Sequence, residues 1–242
     1  FTKLLRPEAI IEVDEKSYLG VSTRLIRFGS SGLAGVWAEE NTREAIYEAF
    51  KRKETFGTSG PRIKVRFFAG YNFENSNLND QDLIQDAYSK NIPMGGDIIQ
   101  EKGKNPRFLV WAISDPLGAP LQRVQIIKGW LADGEQREKV FDVACSDGQS
   151  VNPLSHRCPD NGAKVNLDDC SISREKGNAE IKTFWKDPEF SNDQEAFYYA
   201  RVLENPTCRW STWDAVRAEE KPRSDIPVTI QERAWSSPIW IK

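Results

Sequence analysis

Hydrophobic and polar positions alternate along most of this chain from residue 62 onward. In RIKVRFF, Ile63, Val65 and Phe67 face one way and Arg62, Lys64 and Arg66 the other, which predicts a strand with one wet face. FLVWAI (108–113) is apolar at every position and predicts a central strand. VQIIKGWL and KVFDVAC follow as a pair, with Asp133-Gly134 as the hairpin bend. EIKTFW and AFYYARVLE continue the pattern. AWSSPIWI ends it, with Pro238 requiring an edge or a bulge. Six or seven short strands separated by turns predict an antiparallel β-sandwich, hence a mainly β, α+β fold.

Before residue 62 the period changes. Ala45, Ile46, Ala49 and Phe50 recur at helical spacing and predict a helix at about 41–55. Asn41 is placed to cap it, with Glu44 three residues on. Lys51, Arg52 and Lys53 suit the negative end of the helix dipole. Gly57 is read as a left-handed stop, and Ser59-Gly60-Pro61 ends the segment. QDLIQDAYS predicts a second, short helix. RPEAIIEVDEKSYLG reads as a short helix or an extended arm, STRLIRFGSSG as a strand, and RWSTWDA as a loop. The boundary falls at Gly60-Pro61, dividing the chain into 1–61 and 62–242.

Composition narrows the class. With 242 residues and 39% hydrophobic content the chain is expected to fold. A net charge of −3 argues against a nucleic-acid partner, and no apolar run approaches the length of a membrane span. A first residue of Phe1 and a sole methionine at Met94 suggest a piece of a longer chain. Four cysteines, none in a CxxC pair, suggest disulfides and a secreted or periplasmic protein. Cys158 and Cys170 flank a polar loop and are paired here. Cys145 and Cys208 each lie at a strand end and form the second pair. A Cys145–Cys158 bond is the competing choice.

GLAGVWAEENTREAI, KRKETFGTSGPRI, IPMGGD, FYYARVLE, TCRWSTWDA and QERAWSSPIW resemble the C-terminal third of the family called domain of unknown function 3604. The N-terminal parts of those longer proteins resemble the polymerase-and-histidinol-phosphatase (PHP) superfamily of metal-dependent hydrolases. The resemblance runs over roughly residues 30–242. It implies that residues 1–61 close a PHP-like α/β barrel and that residues 62–242 are an accessory sandwich. It also implies a divalent metal in the full-length protein, held upstream, with the rest of its own chain as partner. Separately, a helix with an apolar face left open predicts that the chain associates, so an oligomer is a further expectation.

No cofactor is expected in this chain alone. It lacks the His-x-His clusters of PHP proteins, a P-loop and a nucleophile elbow. His156, its single histidine, reads as a solvated loop residue. The candidate site residues are Trp37, Glu39, Glu40 and Arg43 at the turn into the helix. The two acids are contributors to a metal-bound water or to a histidine that holds the metal, and Arg43 is a grip for an anion. Arg62 is a weaker candidate. Trp210 and Trp213 form an aromatic ledge suited to a carbohydrate, with Arg209 stacked on a ring. Three functions follow: an inactive C-terminal piece of a metal-dependent hydrolase of phosphoesters or similar esters, an extracellular binding module, or a structural domain.

Overall fold

The computed structural model describes residues 10–19, 28–29, 31–73, 76–192 and 194–242. Most of the strand expected at 22–32 lies outside them. A hairpin comes first, β1 (Ile10–Val13) and β2 (Lys16–Leu19), turning at Asp14 and Glu15, both at positive φ. Of the two expectations for this stretch, the helix is thus corrected: residues 10–19 are extended and paired as a hairpin, and residues 6–9 and 20 lie outside the described residues.

Then come β3 (Leu33–Val36), α1 (Arg43–Lys51), β4 (Thr55–Thr58), β5 (Lys64–Gly70) and α2 (Leu83–Lys90). The short strands β6 (Ile92–Pro93) and β7 (Asp97–Ile98) lead to β8 (Arg107–Ile113), β9 (Leu121–Ala132) and β10 (Glu135–Cys145). After a long excursion the chain forms β11 (Glu180–Lys186), β12 (Ala196–Glu204), β13 (Thr207–Cys208) and α3 (Trp210–Arg217). It ends in β14 (Thr229–Ile230), β15 (Arg233–Ser236) and β16 (Ile239–Ile241).

The larger sheet runs β10-β9-β12-β15-β4-β3, with β16 beside β12 and β7 beside β16. The smaller runs β11-β8-β5-β6. They face each other across one core. Val65, Phe67, Phe108, Val110 and Ala112 come from the smaller sheet, and Val124, Ile126, Tyr198, Ala200, Val202 and Ala234 from the larger. Each large side chain buried there contributes about 1.5–3 kcal/mol. The fold is therefore the expected mainly β sandwich, with no closed barrel among the described residues.

β8 is central, between β11 and β5, and apolar on both faces for a reason. Phe108 and Val110 enter the sandwich core, while Leu109 joins Phe68 under Leu83 and Ala87 of α2. Asp133 and Gly134 both adopt positive φ, 54° and 76°, which lets a two-residue loop join β9 to β10. The final run divides at Ser237-Pro238 into β15 and β16.

The division expected at Gly60-Pro61 falls where the chain crosses from the larger sheet to the smaller. Before it, β4 pairs with β15 and β3 with β4. α1 is shorter than expected and its ends differ. Thr42, not Asn41, is the N-cap, its hydroxyl accepting from Ala45 N at 3.3 Å. The stop is Lys53, at φ 57°, while Gly57 lies inside β4. Only Ala49 of α1 is buried; Tyr47 and Phe50 are 61% and 49% exposed.

The cysteine pairing is corrected. The bonds are Cys145–Cys158 and Cys170–Cys208. On leaving β10 the chain doubles back, and the His156 carbonyl accepts from Asp142 N. That return lays Cys158 beside Cys145, while the far end of the loop reaches β13.

Candidate functional site

The left-handed turn at Lys53 sets up the site. It directs Glu54 inward, where its N–H donates to the Ala49 carbonyl and the residue is 4% exposed. One carboxylate oxygen accepts a hydrogen bond from the Tyr88 hydroxyl on α2. The other lies 3.6 Å from the Arg52 guanidinium. Burial, and after it the bond to Glu54, pushes the Tyr88 phenol up to about 12.

Arg66 leaves the wet face of β5 and donates to the same Tyr88 oxygen at 2.7 Å. Its guanidinium carbon lies over the Trp37 ring, 3.6 Å from the centroid, with the Tyr88 ring at 5.6 Å. Trp37 is itself fixed: its indole N–H donates to the Val65 carbonyl at 2.8 Å, and its ring packs on Phe56. These groups line an open groove of about 510 Å³, with Glu39 at its rim. A guanidinium has five N–H donors in a rigid plane. The contact with Trp37 and the bond to Tyr88 hold that group in the groove's lining. The arrangement suits an anionic group, with Arg52 as a second, half-exposed cation.

Of the residues singled out in the sequence, Trp37 and Glu39 line this groove. Glu40 and Arg43 are exposed and are not part of its lining. Arg62 is exposed, with its backbone N–H bound to Asp115 Oδ2 at 2.7 Å. Arg52, Glu54, Arg66 and Tyr88 were not singled out. Arg66 carried a signal as a wet-face arginine in an alternating strand, whereas Glu54 and Tyr88 meet across 34 residues and carried none.

The aromatic ledge differs from expectation: Trp210 and Trp213 lie on α3, a helix rather than a loop. They are 41% and 37% exposed. The Trp210 indole N–H donates to the Phe28 carbonyl at 2.9 Å, and the Arg217 guanidinium lies over the Trp213 ring at 5.3 Å. His156 is half-buried, its ring edge-on to Phe141 at 5.1 Å. Among the described residues no three His, Cys, Asp or Glu side chains come together as metal ligands, and all four cysteines are in disulfides. No helix among the described residues is long and apolar enough to cross a membrane.

No curated protein and no solved structure matches the chain. The family described as "Protein of unknown function (DUF3604)" matches it over residues 6–242, nearly its whole length, so the chain belongs to that family.

Proposed function

We propose that this chain is the substrate-gripping accessory part of a metal-dependent hydrolase, with the metal-binding part outside residues 1–242. The observation that carries the reading is the Arg66 guanidinium held over the Trp37 ring, 3.6 Å from its centroid, in the lining of an open groove. Such a group recognises a phosphate or carboxylate in a fixed orientation. The resemblance to PHP-type hydrolases supports a phosphoester or similar anionic ester as the ligand, and is an argument by analogy. The open apolar side of α1, with Tyr47 and Phe50 exposed, offers the neighbouring part of the protein a surface to cover. Two disulfides favour a secreted or periplasmic setting.

The test uses a family protein that carries both this chain and the metal-binding part. Hydrolysis of bis(p-nitrophenyl) phosphate with added Mn²⁺ is compared for wild type and Arg66→Ala. The expected result is a KM raised about tenfold with kcat little changed, the signature of lost ground-state binding. An unchanged KM, or no hydrolysis by the wild type across common divalent metals, overturns the reading.

A further inference from the structure

A second groove, on the larger sheet, is built differently. At one level of that sheet, register places five residues side by side on five strands. Glu138 of β10 faces Gly129 of β9, and Gly129 faces Phe197 of β12. Phe197 faces Trp240 of β16, and Trp240 faces Asp97 of β7. The row therefore reads acid, glycine, phenylalanine, tryptophan, acid. At an interstrand spacing of about 4.8 Å it spans roughly 19 Å.

Gly129 is what flattens the floor. A Cβ at that position would lie 2.3 Å from the Phe197 ring, so the ring lies down over the glycine. Trp240 adjoins it with ring centroids 5.0 Å apart and is 41% exposed. The surrounding groove encloses about 1090 Å³. Gln136 and Glu195 add planar hydrogen-bonding groups to its wall, and both are exposed.

We propose that this groove binds a neutral oligosaccharide, its rings stacked on Phe197 and Trp240 and its hydroxyls bonded to the carboxylates and amides around them. Three features of the row favour that ligand. The faces of aromatic rings are electron-rich and attract the weakly positive C–H groups on one side of a pyranose. Side chains with paired planar acceptors and donors match the hydroxyl pairs on a sugar's edge. Charges of both signs line the groove, Glu138 and Glu195 against Arg137 and Lys242, and Lys242 is paired to Asp97 at 2.7 Å. A highly charged ligand has no complementary field there. An extended peptide is disfavoured as well. Strand addition needs a free backbone edge, and β12, the floor of the groove, is hydrogen-bonded on both sides, to β9 and β16. The site is separate from the Arg66 groove, and its reading does not depend on that one.

The chain is run by affinity electrophoresis in gels containing soluble β-glucan, xylan, glucomannan, galactan or pullulan. The tri- and tetrasaccharide of whichever polymer retards it are then titrated calorimetrically. The expected result is retardation by at least one neutral polymer. Trp240→Ala is expected to weaken it about tenfold or more, as truncation of a central aromatic contact does, and Trp240→Phe to retain part of it. Equal melting temperatures of wild type and variants exclude misfolding as the cause, and Glu138→Gln, which keeps the side chain's shape, supplies a second variant. Absence of retardation in every polymer overturns the proposal, as does retardation unaffected by Trp240→Ala. Selection of tight peptide ligands at Trp240 from a displayed library, without sugar binding, overturns it too.

Discussion

Asp187 and Glu204 are equally deep, 0% and 1% exposed, yet the sandwich treats them in opposite ways. Asp187 Oδ2 accepts from Lys128 Nζ and from the Tyr198 hydroxyl, both at 2.7 Å, and Oδ1 accepts from Glu189 N at 2.8 Å. Lys128 is 97% hidden too and spends a further donor on the Glu189 carbonyl at 3.0 Å. Among the described residues the Glu204 carboxyl has one long bond, from Ala119 N at 3.4 Å, and its Oε1 has no partner. Burial, with Asp115 and Glu232 adding negative charge nearby, pushes its carboxyl up to about 8. Depth alone therefore does not decide the fate of a buried acid. The number of donors aimed at it does: three reach the Asp187 carboxylate, and the single long one at Glu204 leaves that carboxyl holding a proton at neutral pH.

The sharpest way to break this contrast is to remove a donor from the satisfied acid. Lys128→Met leaves Asp187 with the Tyr198 hydroxyl and one backbone N–H, and a buried charge robbed of its ion pair costs about 3–5 kcal/mol. Urea unfolding is expected to show the midpoint falling with the slope unchanged. A loss under about 1 kcal/mol would mean that Tyr198 and Glu189 N hold the carboxylate by themselves.

A third buried acid lies between the two extremes. Asp142 accepts from Gln125 at 2.6 Å and from Cys158 N at 2.7 Å, so one of its donors depends on a loop stapled by Cys145–Cys158. Loop entropy alone makes the bond between residues 38 apart worth about 4 kcal/mol and the one between residues 13 apart about 3. Replacing each pair by serine and measuring stability by calorimetry compares them. If the Cys145–Cys158 variant loses as much as the Cys170–Cys208 variant, the excess belongs to Asp142 and its loosened donor.

What the sequence discloses of this follows the range of the interactions. Strands β5, β8, β9, β10, β11 and β12 are legible because their period is local, and the β9–β10 turn because Asp133-Gly134 names its own geometry. The helix ends are less so: Asn41 and Thr42 both suit a cap, and only backbone geometry chooses between them. α3 is not legible at all. Arg209 stands at its N-cap without a capping bond, and its first turn has no acid. The disulfide pairing depends on how a polar loop doubles back, which no spacing reveals. Of the groove, Trp37 and Glu39 are legible as turn residues, while Glu54, Arg66 and Tyr88 become a site only when three elements meet. Asp187 and Glu204 look alike in sequence, each an acid at or just past a strand end.

The mildest test asks the unsatisfied acid to give up its proton. An unfolded chain titrates this glutamate near 4.5, and the folded chain near 8. Between those values the native state binds the extra proton, so stability falls as pH rises from about 4.5 to about 8 and the loss is complete above that. The separation sets an upper bound of about 4–5 kcal/mol. Relaxation and water entry around the ionised group leave about 2 kcal/mol of it, or roughly 4–8 °C in melting temperature for a chain of this size. Glu204→Gln cannot ionise and keeps the side chain's shape. Its melting temperature is expected to match that of the wild type near pH 5 and to exceed it at pH 8.5. Parallel pH profiles for the two proteins would instead mean that Glu204 finds a donor the single 3.4 Å contact does not supply, and the contrast with Asp187 would then be one of degree.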